Sequence, residues 1–231
     1  MLHPGKTLYS VSPYLYLMLK KLLYPLYEPM LRRDLEDVEI NHILLVISAS
    51  DIRDQAGISK LRQFIEWSFD LSIPDVCIYI STRENGGDMP ATLTTTIYNE
   101  LESIDAKLAV YTHQTSRVKK NGDERYSVNV SIGLGGRDEL VYATRKIMEE
   151  VKAGHITPEE IDEKLIESKL IFNFTPDLII RSGTTKLTDF LIWQAVYSEL
   201  YFTDVSWVNF RKIDFLRAVR DFKKRERRFG R

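Results

Sequence analysis

Along the chain, short runs of apolar residues alternate with longer stretches in which apolar residues return every three or four positions. HILLVI from His42, VCIYI from Val76, KLAVYT from Lys107, YSVNVSI from Tyr126 and DLIIR from Asp177 are of the first kind. Ile43 to Ile47 is a continuous apolar run, as in a strand buried on both faces of a parallel sheet. ISKLRQFIEWSFDL, PATLTTTIYNELESI, RDELVYATRKIMEEVKAG, TPEEIDEKLIESKL, TDFLIWQAVYSEL and a last stretch from Ile213 towards Arg228 are of the second kind. Strand and helix in alternation predict an α/β fold, a mostly parallel central sheet flanked by helices. Thr157, Pro158 and Glu160 form a capping box with proline at the first helical position, which fixes one helix start. Asn121-Gly122 is a turn signal that predicts neighbouring strands over 106–112 and 125–132.

Composition narrows the class. A chain of 231 residues that is 44% hydrophobic suits one soluble domain. The net charge of −1 argues against a general nucleic-acid binder, yet residues 211–231 carry ten basic side chains against three acidic. The lone Cys77 has no intramolecular disulfide partner and reads as a small core residue, with a cytoplasmic setting as the default. No signal peptide is evident, and no apolar run reaches the roughly eighteen residues of a membrane span. TLYSVSPYLYLMLKKLLYPLYEPMLRR, from Thr7, mixes aromatic, apolar and basic residues. It suits a membrane surface and equally a helix packed on its own domain. The division expected is an N-terminal helical segment over 1–37 and a domain over 38–231.

Ligands of open α/β sheets sit outside the carboxyl ends of the strands, which directs attention to Ser48–Gly57. That loop offers Ser48, Ser50, Asp51 and Asp54 with Arg53 as its only cation, so alone it reads as an ordinary strand-to-helix connection, not a phosphate cradle. Gly135 and Gly136 allow a sharp turn into a helix whose first turn carries Asp138 and Glu139, favoured there by the helix dipole. Arg181, Gly183, Lys186 and Thr188 form a cationic, hydroxyl-bearing loop suited to a diphosphate. Glu199 would bind a hard divalent cation if a second carboxylate faced it.

NVSIGLGGRDEL, PDLIIRSGTTKLTDFLIWQAVYSELYFTDVSW and the terminal RERRFG together resemble the cis-prenyltransferases, the family of undecaprenyl and dehydrodolichyl diphosphate synthases. The similarity is strong from Val128 to Gly230 and weaker but collinear from Leu23 to Asn85, where STREN resembles the family's FSTEN. The resemblance implies a dimeric parallel-sheet fold with a hydrophobic tunnel, and condensation of isopentenyl diphosphate onto an allylic diphosphate with magnesium. Against the family motif HxxxxxDGNRRWA, His42 matches the histidine, but the catalytic aspartate falls at Ser48 and the paired arginines at Asp51 and Ile52. A neutral serine does not anchor magnesium, and Asp51 repels a diphosphate. The stretch between Asn85 and Lys107, part of the family's tunnel wall, is shortened as well.

On the isopentenyl side, Arg181 matches the first arginine of RxGxxRxS, Lys186 replaces the second and Thr188 the serine, which weakens the substrate-binding loop. Glu199 matches a metal-binding carboxylate, vestigial or shared. Arg228 and Gly230 match the RxG motif that the family donates across its dimer interface to the partner's site. The pattern resembles the non-catalytic, Nogo-B-receptor-like subunits of heteromeric cis-prenyltransferases, in a soluble archaeal-type form. The resemblance implies a catalytic homologue as partner, isoprenoid diphosphates as ligands and magnesium held mainly by the catalytic subunit. Two alternatives stay open: an active homodimer in which Asp51 has taken over, and a protein that sequesters isoprenoid diphosphates.

Overall fold

The computed structural model describes residues 28–82, 91–112, 116–120, 122–183 and 191–225. Its strands are β1 (His42–Ser48), β2 (Asp75–Ser81), β3 (Lys107–Tyr111), β4 (Ser116–Lys119), β5 (Ser127–Ile132), β6 (Leu178–Ser182) and β7 (Glu199–Thr203). The helices between and after them are α1 (Gln55–Phe69), α2 (Ala91–Leu101), α3 (Gly136–Lys152), α4 (Glu163–Lys169) and α5 (Lys212–Lys224). They build the expected α/β architecture, a seven-stranded sheet in the order β4-β3-β5-β2-β1-β6-β7. Every pairing is parallel except that of β4 with β3.

Alternation along the strands separates two cores. Ile43, Leu45 and Ile47 face one side with Ile78, Ile80, Val130 and Ile180, where Leu61 and Phe64 of α1, Ile97 of α2 and Phe215 of α5 cover them. Phe64 meets Phe215 and Trp207 edge-on, with ring centroids 5.4 and 6.2 Å apart. Leu44 and Val46 face the other side with Cys77, Tyr79, Ile179 and Phe172. The chain leaves β1 towards β2 in one direction and reaches β6 from β5 in the other. β1 therefore flanks the switch point, where open α/β sheets bind ligands beyond their carboxyl ends.

Two sequence expectations change, at the TDFLIWQAVYSEL helix and at the helix start at Thr157. The helix expected over TDFLIWQAVYSEL is, in its described part, a run of turns over 192–197 followed by strand β7. ELYFT is rich in aromatic residues and lies parallel to β6, so pairing overrides the helical spacing. The capping box at Thr157 forms, with its N–H donating to Glu160 Oε2 at 2.6 Å, but it starts only the short 3₁₀ turn Pro158–Glu160. Asp162 then caps the separate helix α4 by accepting the Leu165 N–H at 2.8 Å. Strands β3 and β5 are neighbours, though parallel, because β4 makes an antiparallel pair with β3 before the chain returns. Asn121 itself lies outside the described residues. At the N-terminus, residues 1–27 lie outside them too, while Leu31 and Leu35 are buried in the main core. No helix among the described residues is long and apolar enough to cross a membrane.

Candidate functional site

Strand β1 delivers Ser48 to the switch point, buried to 5% exposure. The chain then turns at once through a 3₁₀ turn, Ala49–Ile52, and Ser48 is its cap. The Ser48 N–H donates to Asp51 Oδ2 at 2.9 Å, and Ser50 Oγ donates to Ser48 Oγ at 2.9 Å. Asp51 thus spends a carboxylate oxygen on the turn that contains it. Gly57 in α1 locks the arrangement: a Cβ there would lie 2.2 Å from the Asp51 carbonyl oxygen. Beneath, the Gly57 carbonyl accepts the Trp207 indole N–H at 2.9 Å. The loop is a capped turn resting on the core.

Neighbouring strands add Ser81, the register partner of Ser48 in β2, and Arg181, which lies opposite Val46 in β6. Both are buried, and the Ser81 hydroxyl has no hydrogen-bond partner among the described residues. Arg181 points to the same face of the sheet as Ser48, two residues along the neighbouring strand, because parallel partners share a face. So Ser48 and Arg181, both anticipated from sequence, come together. Lys186, Thr188, Arg228 and Gly230 lie outside the described residues. Glu199 is not brought to this end: it opens β7 opposite Leu178, three residues and roughly 10 Å before the level of Arg181. Its carboxylate accepts from Arg225 Nη1 at 3.1 Å.

These groups do not fit a resident magnesium ion. Ser48 offers a neutral hydroxyl, Asp51 caps a turn, and the Glu199 carboxylate already faces a guanidinium. Among the described residues no three histidine, cysteine or carboxylate side chains gather as a metal would require. A cavity of about 270 Å³ lies elsewhere, at the amino ends of β1, β2 and β5, lined by His42, Asp75, Cys77, Asn129, Phe172 and Phe174. There His42 Nε2 sits 3.2 Å from Asp75 Oδ2 and its ring stacks on Phe174.

One polar network escapes the sequence reading. Glu139 of α3 is 1% exposed. It accepts the Phe172 N–H at 2.7 Å and the Gln194 side-chain amide at 2.9 Å, while that amide also donates to the Phe172 carbonyl at 2.7 Å. Burial holds the Glu139 carboxyl above the usual carboxylate range, against the opposing pull of those donors. A signal was present: Glu139, Ala143 and Ile147 share one helical face, so the carboxylate stands in an apolar stripe. The network joins the GGRDE, FNF and WQ stretches of the sequence.

Comparison with known proteins agrees with this architecture. The family model described as "Putative undecaprenyl diphosphate synthase" matches residues 90–230. The tritrans,polycis-undecaprenyl-diphosphate synthase (geranylgeranyl-diphosphate specific) of Methanocaldococcus jannaschii is 37% identical over 203 residues, 75% of this chain and 72% of that protein. The isoprenyl transferase of Thermus thermophilus is 31% identical over 258 residues, covering 93% of this chain and 98% of that one. Among solved structures, lavandulyl diphosphate synthase from Lavandula x intermedia, in complex with dimethylallyl diphosphate, superimposes with a TM-score of 0.71 at 24% identity, over 83% of this chain and 98% of the other. A "probable undecaprenyl diphosphate synthase" from Campylobacter jejuni gives 0.63 at 23% identity, over 84% and 99%. The fold matches that of these solved structures, and the chain belongs to the undecaprenyl diphosphate synthase-like family of cis-prenyltransferases.

Proposed function

We propose that this chain is a non-catalytic partner subunit of a heteromeric cis-prenyltransferase. The complex condenses isopentenyl diphosphate with an allylic diphosphate and makes a long-chain polyprenyl diphosphate for a glycosyl carrier lipid. The observation that carries the reading is the loop after β1. Ser48, Ser50 and Asp51 bond to one another instead of offering charge to a diphosphate or its metal. The dense packing of Ile43, Ile47, Phe64 and Ile97 between the sheet and α1 and α2 supports it, since that is a face where an elongating chain would need room. The chain contributes a dimer surface and the basic segment with Arg228 and Gly230, while magnesium is held by the catalytic subunit. Residues 7–31 are the candidate for membrane contact.

The names of the relatives favour a second reading, an active homodimer with a remodelled site. The two separate in one assay: incorporation of labelled isopentenyl diphosphate with magnesium, using farnesyl or geranylgeranyl diphosphate as primer. Turnover only when this chain is co-purified with an aspartate-containing homologue is the expected result. Turnover by this chain alone overturns the proposal. Tight binding of the diphosphates without turnover in either sample points instead to sequestration.

A further inference from the structure

Glu199 stands at a family metal-ligand position, yet its surroundings give it different work. Its Oε2 lies 3.1 Å from Arg225 Nη1, which also donates to the Leu200 carbonyl at 3.0 Å. Arg225 Nη2 lies 2.5 Å from Asp221 Oδ2. Two converging carboxylates are what a divalent ion seeks. Here the cation that they enclose is the chain's own guanidinium, whose planar fork reaches several acceptors at once. Arg225 is also the residue at which α5 ends: its N–H returns to the Phe222 carbonyl and its backbone becomes extended. The basic segment 226–231 continues from that clamped residue.

We propose that Glu199 is a positioning residue for this segment. Together with Asp221 it pins Arg225 to the outer edge of β7, and so sets where residues 226–231 leave the domain and in which direction. The proposal rests on the reading of the chain as a partner subunit, but the clamp is measurable without a partner.

In the isolated chain, limited proteolysis with trypsin reads the clamp directly, because the protease must draw the Arg225 side chain into its own acidic pocket before cutting after it. In Glu199→Gln the fragment ending at Arg225, followed by mass spectrometry, should accumulate about fivefold faster than in the wild type, with the thermal midpoint unmoved. In the complex, Glu199→Gln should lower kcat about fivefold and leave the magnesium requirement and the KM for isopentenyl diphosphate unchanged.

Unaltered cutting after Arg225 in Glu199→Gln would overturn the proposal. So would a raised magnesium requirement, which would make Glu199 a metal ligand. A wild-type complex without turnover would remove the partner reading and the positioning role together, and faster cutting would then establish the clamp alone.

Discussion

A carboxylate on the apolar face of a helix must find donors or give up its charge, and Glu139 finds them in the Phe172 N–H, the Gln194 amide and the Ile171 backbone. Its folded pKa lies above the unfolded value because burial outweighs those donors. The folded state therefore keeps the proton to higher pH than the unfolded state does. Stability is full below the ordinary carboxylate value of about 4.3 and is lost as pH rises through the folded value, by at most about 1.4 kcal/mol per pH unit. Glu139→Gln should flatten that slope in urea midpoints measured across the weakly acidic range, and an unchanged slope would place its origin in another group. Ser48 is a second single-residue case. Ser48→Ala should cost about 1 kcal/mol through loss of the cap, measured by chemical denaturation. Ser48→Asp should not make the isolated chain turn over, because it restores one carboxylate and neither arginine.

Elements explain why the loop after β1 keeps its shape. It is held between the end of β1 and the start of α1, where only a hydrogen fits on Gly57. Gly57→Ala should cost about 2 kcal/mol, since the methyl meets the backbone of the capped turn and not a movable side chain. A loss within error in urea unfolding would show that α1 can slide. At this scale the sequence was legible where burial dictates pattern. The central strands β1, β2, β5 and β6 lie on the apolar runs, and α1 carries its apolar stripe at Ile58, Leu61 and Ile65. It was illegible where pairing decides. SRVK of β4 has no apolar alternation, since it is an exposed edge held only by β3. Glu199 and Leu200 read as the end of a helix until β6 is placed beside them. The same division runs through the candidate site: the motif resemblance picks out Ser48 and Arg181, but the capping role of Asp51 and the grip on Arg225 depend on neighbours distant in sequence or on local backbone geometry.

At the scale of the whole molecule, two regions of unlike character are held by one sheet. A closed loop lies at the carboxyl ends of the strands, and helix α5, which the basic sequence 226–231 follows, ends at Arg225 beside the edge strand. If the second serves another subunit, Arg228→Ala should lower turnover of the complex at least about tenfold while leaving the subunits associated in sedimentation velocity. Full activity in that variant would refute the role. The sheet also has two rims, and open rims invite strands from other molecules. On β4 the rim is bordered by Arg117 and Lys119. On β7 the guanidinium of Arg225 occupies the outward carbonyl of Leu200. Arg225 thus doubles as a stopper against strand-to-strand templating. Protein trimmed by proteases back into α5 during purification should lose that stopper and scatter progressively more light on storage, while its circular dichroism remains that of the folded chain.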